Sequence, residues 1–151
     1  MLWIIYQEIS QKKKLNELQF RVTQQNATEP PFSHEGFEKG TKLFECVCCD
    51  SILFKIENKF ESGSGWPSFW SPFSAEAITE HKDESYGMVR TEVKCSNCNA
   101  HLGHVFEDGP EPTGLRYCIN GAALNGKKWF SSNFAESFVM KSYLYFQKFA
   151  E

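Results

Sequence analysis

The segment Arg116-Tyr117-Cys118-Ile119-Asn120 has the clearest capacity for chemistry in this chain. On an extended strand, side chains alternate between two faces. Tyr117 and Ile119 then turn toward a core, while Arg116, Cys118 and Asn120 share the opposite face. A nearby cation lowers a thiol's pKa and raises its thiolate fraction, so Cys118 reads as an activated nucleophile. Taken alone, a single cysteine is more often a small buried hydrophobe. Here two histidines, His101 and His104, precede it across a turn-rich bridge. Histidines beside a thiol orient a substrate or donate a proton near neutral pH. Zinc ligation and ordinary hydrogen bonding are the competing roles for this pair.

Four other cysteines carry a different signal. Cys46-x-x-Cys49 and Cys95-x-x-Cys98 are two CxxC pairs, the spacing of a four-thiolate tetrahedral zinc site. A tight turn within each pair aims both sulfurs at one ion. Residues 50–94 separate the pairs, so the ion pins two distant segments rather than closing a small finger. Two disulfides or a redox CxxC are the alternatives. Neither a βαβ pattern nor a secretion signal supports them. With four thiolates at hand, and only two residues between His101 and His104, the histidines are poor candidates for the ion. Cys48 lies inside the first pair and reads as a bystander thiol.

The elements that must position these residues can be read from the pattern. Lys42 to Cys46 and Ile52 to Phe54 are short strands flanking the first CxxC turn. Gly87 to Cys95 alternates, with Val89, Thr91 and Val93 on one face and Met88, Arg90, Glu92 and Lys94 on the other. This predicts a half-exposed antiparallel strand running into the second CxxC turn. Ile9, Leu15, Leu18 and Val22 recur at helical spacing, predicting a short amphipathic helix within residues 8–25. Residues 27–40 form a loop around Pro30-Pro31, and residues 71–86 a loop or short helix. Gly63, Gly65 and Pro67 shape a turn that presents Trp66, which either caps the core or offers an aromatic face to a ligand.

The chain of 151 residues predicts one domain with a sizeable core. Its net charge of −3 argues against a nucleic-acid or anionic-membrane surface. The N-terminal apolar run is too short to span a bilayer and lacks the features of a signal peptide, so cytoplasm is the expected compartment.

The combined motifs resemble the B-type methionine sulfoxide reductases. The matching stretches are TEPPF (28–32), CVCC (46–49), FKIENKFESGSGWPSFW (54–70), GMVRTEVKCSNCNAHLGHVFEDGPEPTGLRYCIN (87–120) and AAL (122–124), within about residues 14–124. The resemblance implies a mainly β fold of two antiparallel sheets in a tent-like arrangement, with few short helices and a structural zinc held by Cys46, Cys49, Cys95 and Cys98. It implies reduction of the R epimer of methionine sulfoxide in proteins or peptides. Cys118 is then the nucleophile and Trp66 packs on the substrate's S-methyl group. His101, His104 and Asn120 arrange and protonate the sulfoxide oxygen, and Arg116 helps bind and activate. Thioredoxin is the family's usual reductant.

Three features depart from the family pattern. Ser64 stands where many members carry a resolving cysteine, so an external thiol, thioredoxin or a small one, is expected to regenerate Cys118, with Cys48 the only non-zinc alternative. Gly121 replaces a frequent serine, which is expected to loosen the turn beside Asn120. Residues 129–151 extend past the usual end, setting an extension apart from a single domain over 1–128. There Phe130, Phe134 and Phe138 suit a helix docked on the domain, or else a partner-binding or membrane-surface helix. A monomer is expected. A non-catalytic zinc module, and an enzyme for free methionine sulfoxide, are the competing functions.

Overall fold

The computed structural model describes residues 2–6 and 14–128. Ile9 and the aromatic extension with Phe130, Phe134 and Phe138 lie outside the described residues. Residues 2–6 are helical and exposed. No helix among the described residues is long and apolar enough to cross a membrane.

The first long helix, α1 (Glu17–Gln25), is shorter than the periodicity predicted. Its start is set by a capping box: the Asn16 side chain accepts from Gln19 N–H at 2.8 Å, and the Gln19 side chain accepts from Asn16 N–H at 3.0 Å. Leu15 falls just before the cap and joins Phe20 in the core cluster, as a hydrophobic staple does. Val22 is fully buried, whereas Leu18 is 40 % exposed rather than on the core face. The loop over 27–40 has neither helix nor strand, as expected.

Among the described residues, nine strands form two antiparallel sheets. The smaller has the order β2 (Ile52–Lys55), β1 (Leu43–Cys46), β9 (Leu124–Lys127). The larger has the order β3 (Lys59–Phe60), β4 (Ser68–Phe69), β8 (Arg116–Ile119), β7 (His101–Phe106), β6 (Arg90–Cys95), β5 (Ile78–Asp83). Aromatic packing joins them. Phe69 of the larger sheet stacks on Phe54 at 4.3 Å and meets Phe44 edge-on at 5.1 Å, both from the smaller. These three rings are essentially inaccessible to water. Each buried aromatic removes about 150–250 Å² from solvent, so this contact is a substantial part of the joint.

Strand β5 is a correction to the sequence reading, which placed a loop or short helix over 71–86. Its residues Thr79-Glu80-His81-Lys82 are exposed, so no hydrophobic alternation marks them. Six consecutive pairs with β6, from Ile78↔Cys95 to Asp83↔Arg90, hold it as a charged edge strand. Strand β6 also departs from the reading in detail. Glu92, assigned to the open face, is only 9 % exposed.

Candidate active site and metal centre

The two CxxC turns adopt the same backbone path. In each, the residue after the second cysteine has positive φ, Asp50 at 62° and Asn99 at 66°, a conformation that Asp and Asn tolerate better than most residues. In each, its N–H donates to the first cysteine's carbonyl at 2.9 Å. One turn joins β1 to β2 and the other joins β6 to β7, so their meeting ties the two sheets together. Cys46, Cys49, Cys95 and Cys98 place their sulfurs within 4.8 Å of one another, with Cys46–Cys98 and Cys49–Cys95 both at 3.6 Å. A tetrahedral ion with bonds of about 2.3 Å sets its sulfurs about 3.8 Å apart, so these residues fit a metal. As bare thiols they conflict: contacts first with Cys48, then with Cys49, Cys95 and Cys98, push the Cys46 pKa far up. A divalent cation removes the conflict by binding all four as thiolates. Neither His101 nor His104 belongs to this cluster.

The second cluster is built across the larger sheet. His81, Glu92, His104, Cys118, Ser68 and Phe60 are consecutive register partners from β5 through β3. Directly paired residues project on one face with Cβ atoms about 5 Å apart, so His104 and Cys118 are neighbours by construction. The row one step along runs Asp83, Arg90, Phe106 and Arg116 on the same face. His101, three residues before His104, would point to the other face of a regular strand. A register shift in β7 pairs Lys94 with His101 and turns that side chain back toward His104, with ring centroids 5.6 Å apart.

Around Cys118 lies a cavity of about 320 Å³ walled by Ser64, Trp66, Arg90, His104, Phe106, Arg116 and Asn120, with Thr28 at its edge. Tyr117 and Ile119 are buried on the opposite face, as the alternation predicted. Ser64 Oγ is 4.0 Å from Cys118 Sγ. Arg116 is anchored by Asp108 through two hydrogen bonds, 2.8 and 3.1 Å, and its guanidinium lies 4.5 Å over the Phe106 ring. The expected lowering of the Cys118 pKa is not the net result. Burial raises it, and the Ser64 hydroxyl and Arg116 offset that only in part.

The two histidines differ sharply. His104 Nε2–H donates to Asp83 Oδ2 at 2.7 Å, and that hydrogen bond, followed by those from Ser85, holds the Asp83 carboxyl well below the usual range. Arg90 adds an ion pair to Asp83 at 3.3 Å. With Nε2 on a carboxylate, Nδ1 is the ring nitrogen His104 has left for the cavity it lines. His101 is only 2 % exposed and does not line the cavity. Its Nδ1–H donates to Glu92 at 2.5 Å, its Nε2 is buried without a partner, and burial pushes its pKa down.

Asn120 lines the cavity, and its amide is held at both ends. Oδ1 accepts from Glu29 N–H and Nδ2 donates to the Leu102 carbonyl, both at 2.9 Å. Trp66 is fixed by its indole N–H, which donates to the Glu29 carbonyl at 2.9 Å. Glu29, 1 % exposed, also accepts from Gly121 N–H and Ala122 N–H, closing the 3-10 turn at Gly121–Ala123. That turn is therefore held rather than loosened. The His34 ring fills the place a side chain at 121 would occupy.

Glu29, Asp83, Arg90 and Glu92 were not singled out from sequence. The TEPPF stretch held a signal for Glu29, an acidic residue in an otherwise apolar and proline-rich segment. For Asp83 there was none, because its strand carries no pattern.

Residues 15–128 match the SelR domain family. The chain is similar to curated proteins named peptide methionine sulfoxide reductase MsrB. That of Thioalkalivibrio sulfidiphilus is 51 % identical over 119 residues, 78 % of this chain and 87 % of that protein. That of Hahella chejuensis is 54 % identical over 114 residues, 75 % and 82 % of the two chains. That of Escherichia coli O45:K1 is 54 % identical over 114 residues, 75 % and 83 %. With a family match over most of its length and relatives above half identity, this chain belongs to the SelR family, that of the B-type methionine sulfoxide reductases.

Proposed function

We propose that this protein is an oxidoreductase that reduces the R epimer of methionine sulfoxide in peptides or proteins, with Cys118 as nucleophile. The observation that carries the reading is the register of β7 and β8, which sets His104 beside Cys118 in one cavity. The Cys118 thiolate attacks the sulfoxide sulfur while the oxygen takes a proton. The S–O bond to the substrate breaks, the oxygen remains on Cys118 as a sulfenic acid, and the thioether leaves. His104 is the group placed to hold or give that proton, through the ring nitrogen not bound to Asp83. Trp66, immobilised by Glu29, offers the S-methyl group an aromatic face. Arg116 keeps a cation beside the thiol, and Asn120 ties the strand end to residues 29 and 102. His101 acts through His104 rather than on substrate.

A first external thiol condenses with the sulfenic acid, releasing water and leaving a mixed disulfide. A second restores Cys118 as a thiol. Ser64 at 4.0 Å supports an external donor, thioredoxin or a small thiol, because the residue beside Cys118 has no sulfur. Cys48 is buried and accepts from Gln24 at the metal cluster, which argues against its reaching Cys118. Cys46, Cys49, Cys95 and Cys98 would hold zinc, whose part is to lock the scaffold. We take residues 1–128 as one reductase domain and 129–151 as an extension.

The test is turnover of separate R and S epimers of a blocked methionine sulfoxide with dithiothreitol, for wild type and Cys118→Ser of equal zinc content. R-specific reduction that disappears in the variant is expected. No reduction of either epimer by folded, zinc-loaded wild type would sink the reading.

A further inference from the structure

The site cavity, at about 320 Å³, is small for a ligand pocket, whose usual range is about 300–1,000 Å³. It suits one side chain. If the substrate is a methionine sulfoxide residue in a polypeptide, as read above, the flanking chain must lie on the surface beside it. Trp66 is a wall of that cavity and also of a second, larger groove of about 610 Å³. Trp66 is the residue they share.

The floor of the groove is apolar, from Phe37, Phe44, Ile56 and Pro67, and Phe32 stands on its rim. Phe32 is 77 % exposed, and its φ is +61°. For a residue with a Cβ that conformation is strained, and strain of this kind is retained where surrounding structure over-determines it. Here the Phe32 N–H donates to the Gly65 carbonyl at 2.8 Å. Its ring lies so close over Gly65 that a Cβ there would stand 2.7 Å from it. The fold thus holds an aromatic ring in water, at a fixed distance from the loop that carries Ser64 and Trp66.

The charges on the groove are not balanced. Lys59 pairs with Glu61 and Lys128 with Glu38. Lys39 and Lys42, both on the groove, have no ion-pair partner among the described residues.

We propose that the groove between Phe32 and Lys42 is a subsite for the polypeptide flanking the substrate methionine sulfoxide, taking an apolar residue against Phe32 and acidic residues near Lys39 and Lys42. The enzyme then reads extended, apolar-to-acidic segments around the oxidised methionine, and a single blocked amino acid leaves the subsite empty.

The test compares kcat/KM of the full chain on the R epimer of a blocked methionine sulfoxide with kcat/KM on peptides carrying that residue between leucine, glycine, glutamate or lysine neighbours. Phe32→Ala should lower kcat/KM about five- to tenfold on the leucine-flanked peptide, through KM, and leave the blocked amino acid within about twofold of wild type. The double substitution Lys39→Glu, Lys42→Glu should reverse a preference for glutamate over lysine neighbours. An equal loss on both substrate types in Phe32→Ala would make Phe32 a support for the Trp66 loop and overturn the proposal. So would flanking preferences unaffected by all these substitutions. Failure of wild type on the blocked amino acid and on every peptide would instead overturn the underlying activity.

Discussion

This protein keeps cysteine in two contrasting environments on one scaffold. At one end, four sulfurs are crowded within bonding reach of one ion by two turns of matching backbone path. At the other, a single thiol lies on a sheet face beside an arginine, a histidine and a cavity. The first arrangement is worth something only when a metal satisfies it, and then it fastens the two sheets. The second must stay open, so its neighbours are held by groups other than the thiol: Asp83 holds His104, Asp108 holds Arg116, Glu29 holds Trp66. Crowding makes a brace, and isolation leaves a thiol free to react.

The sharpest way to break this comparison is to exchange a hydroxyl for each kind of thiol. Cys118→Ser should abolish reduction, a loss of about four orders of magnitude or more, as for other essential nucleophiles. Its melting temperature and metal content should stay near those of wild type. Cys46→Ser should do the reverse in order of cause. Metal stoichiometry falls, the fold loses on the order of several kcal/mol, and activity is lost with it, because ligation energy in such sites is folding energy. Calorimetry with metal analysis separates them. Equal destabilisation by the two substitutions would refute the division of labour.

The two histidine–carboxylate pairs sharpen the same contrast. Asp83→Ala frees His104 at the cavity and should cost about 10- to 100-fold in kcat/KM, part of the usual worth of a positioned acid. Glu92→Gln, beside the sealed His101, should show chiefly as lost stability, about 1–3 kcal/mol, because it disturbs a buried partner. Thermal melts and steady-state kinetics on both variants decide it, and a larger kinetic effect in Glu92→Gln would bring His101 to the front.

The smallest effect concerns the thiol itself. Burial places the Cys118 pKa above the ordinary cysteine value, so through the neutral range the thiolate fraction, and with it kcat/KM, should rise as pH rises. Arg116 opposes burial. Arg116→Gln should therefore raise the thiol pKa further, move the rising limb to higher pH, and lower kcat/KM about three- to tenfold at pH 7. A limb that stays in place in the variant would show that Arg116 binds substrate rather than supporting the thiolate.

Much of the site was legible because its signals are local. Two CxxC pairs announce a tetrahedral site, and alternation alone sorts Tyr117 and Ile119 from Arg116 and Cys118. Other parts were illegible for definite reasons. Beyond Ile78, strand β5 is polar on both faces, since an edge strand needs no hydrophobic alternation, so Asp83 could not be foreseen beside His104. The spacing of His101 and His104 implies opposite faces on a regular strand, and only the register shift in β7 reverses that. Glu92 belongs by pattern to an open face but lies buried against His101.

What the amino-acid sequence determined by itself was therefore composition and local geometry: which residues can ligate, which can attack, and which face of a strand each occupies. The tertiary structure decided the competition between effects. Whether the cation beside Cys118 outweighs its burial, which nitrogen of His104 is left for a substrate, and whether the Gly121 turn is loose or held all depend on groups distant in the chain. Asp83 is 21 positions before His104 and Glu29 is 92 positions before Gly121. Desolvation and hydrogen-bond pairing arise from such contacts, and no local window of sequence contains them.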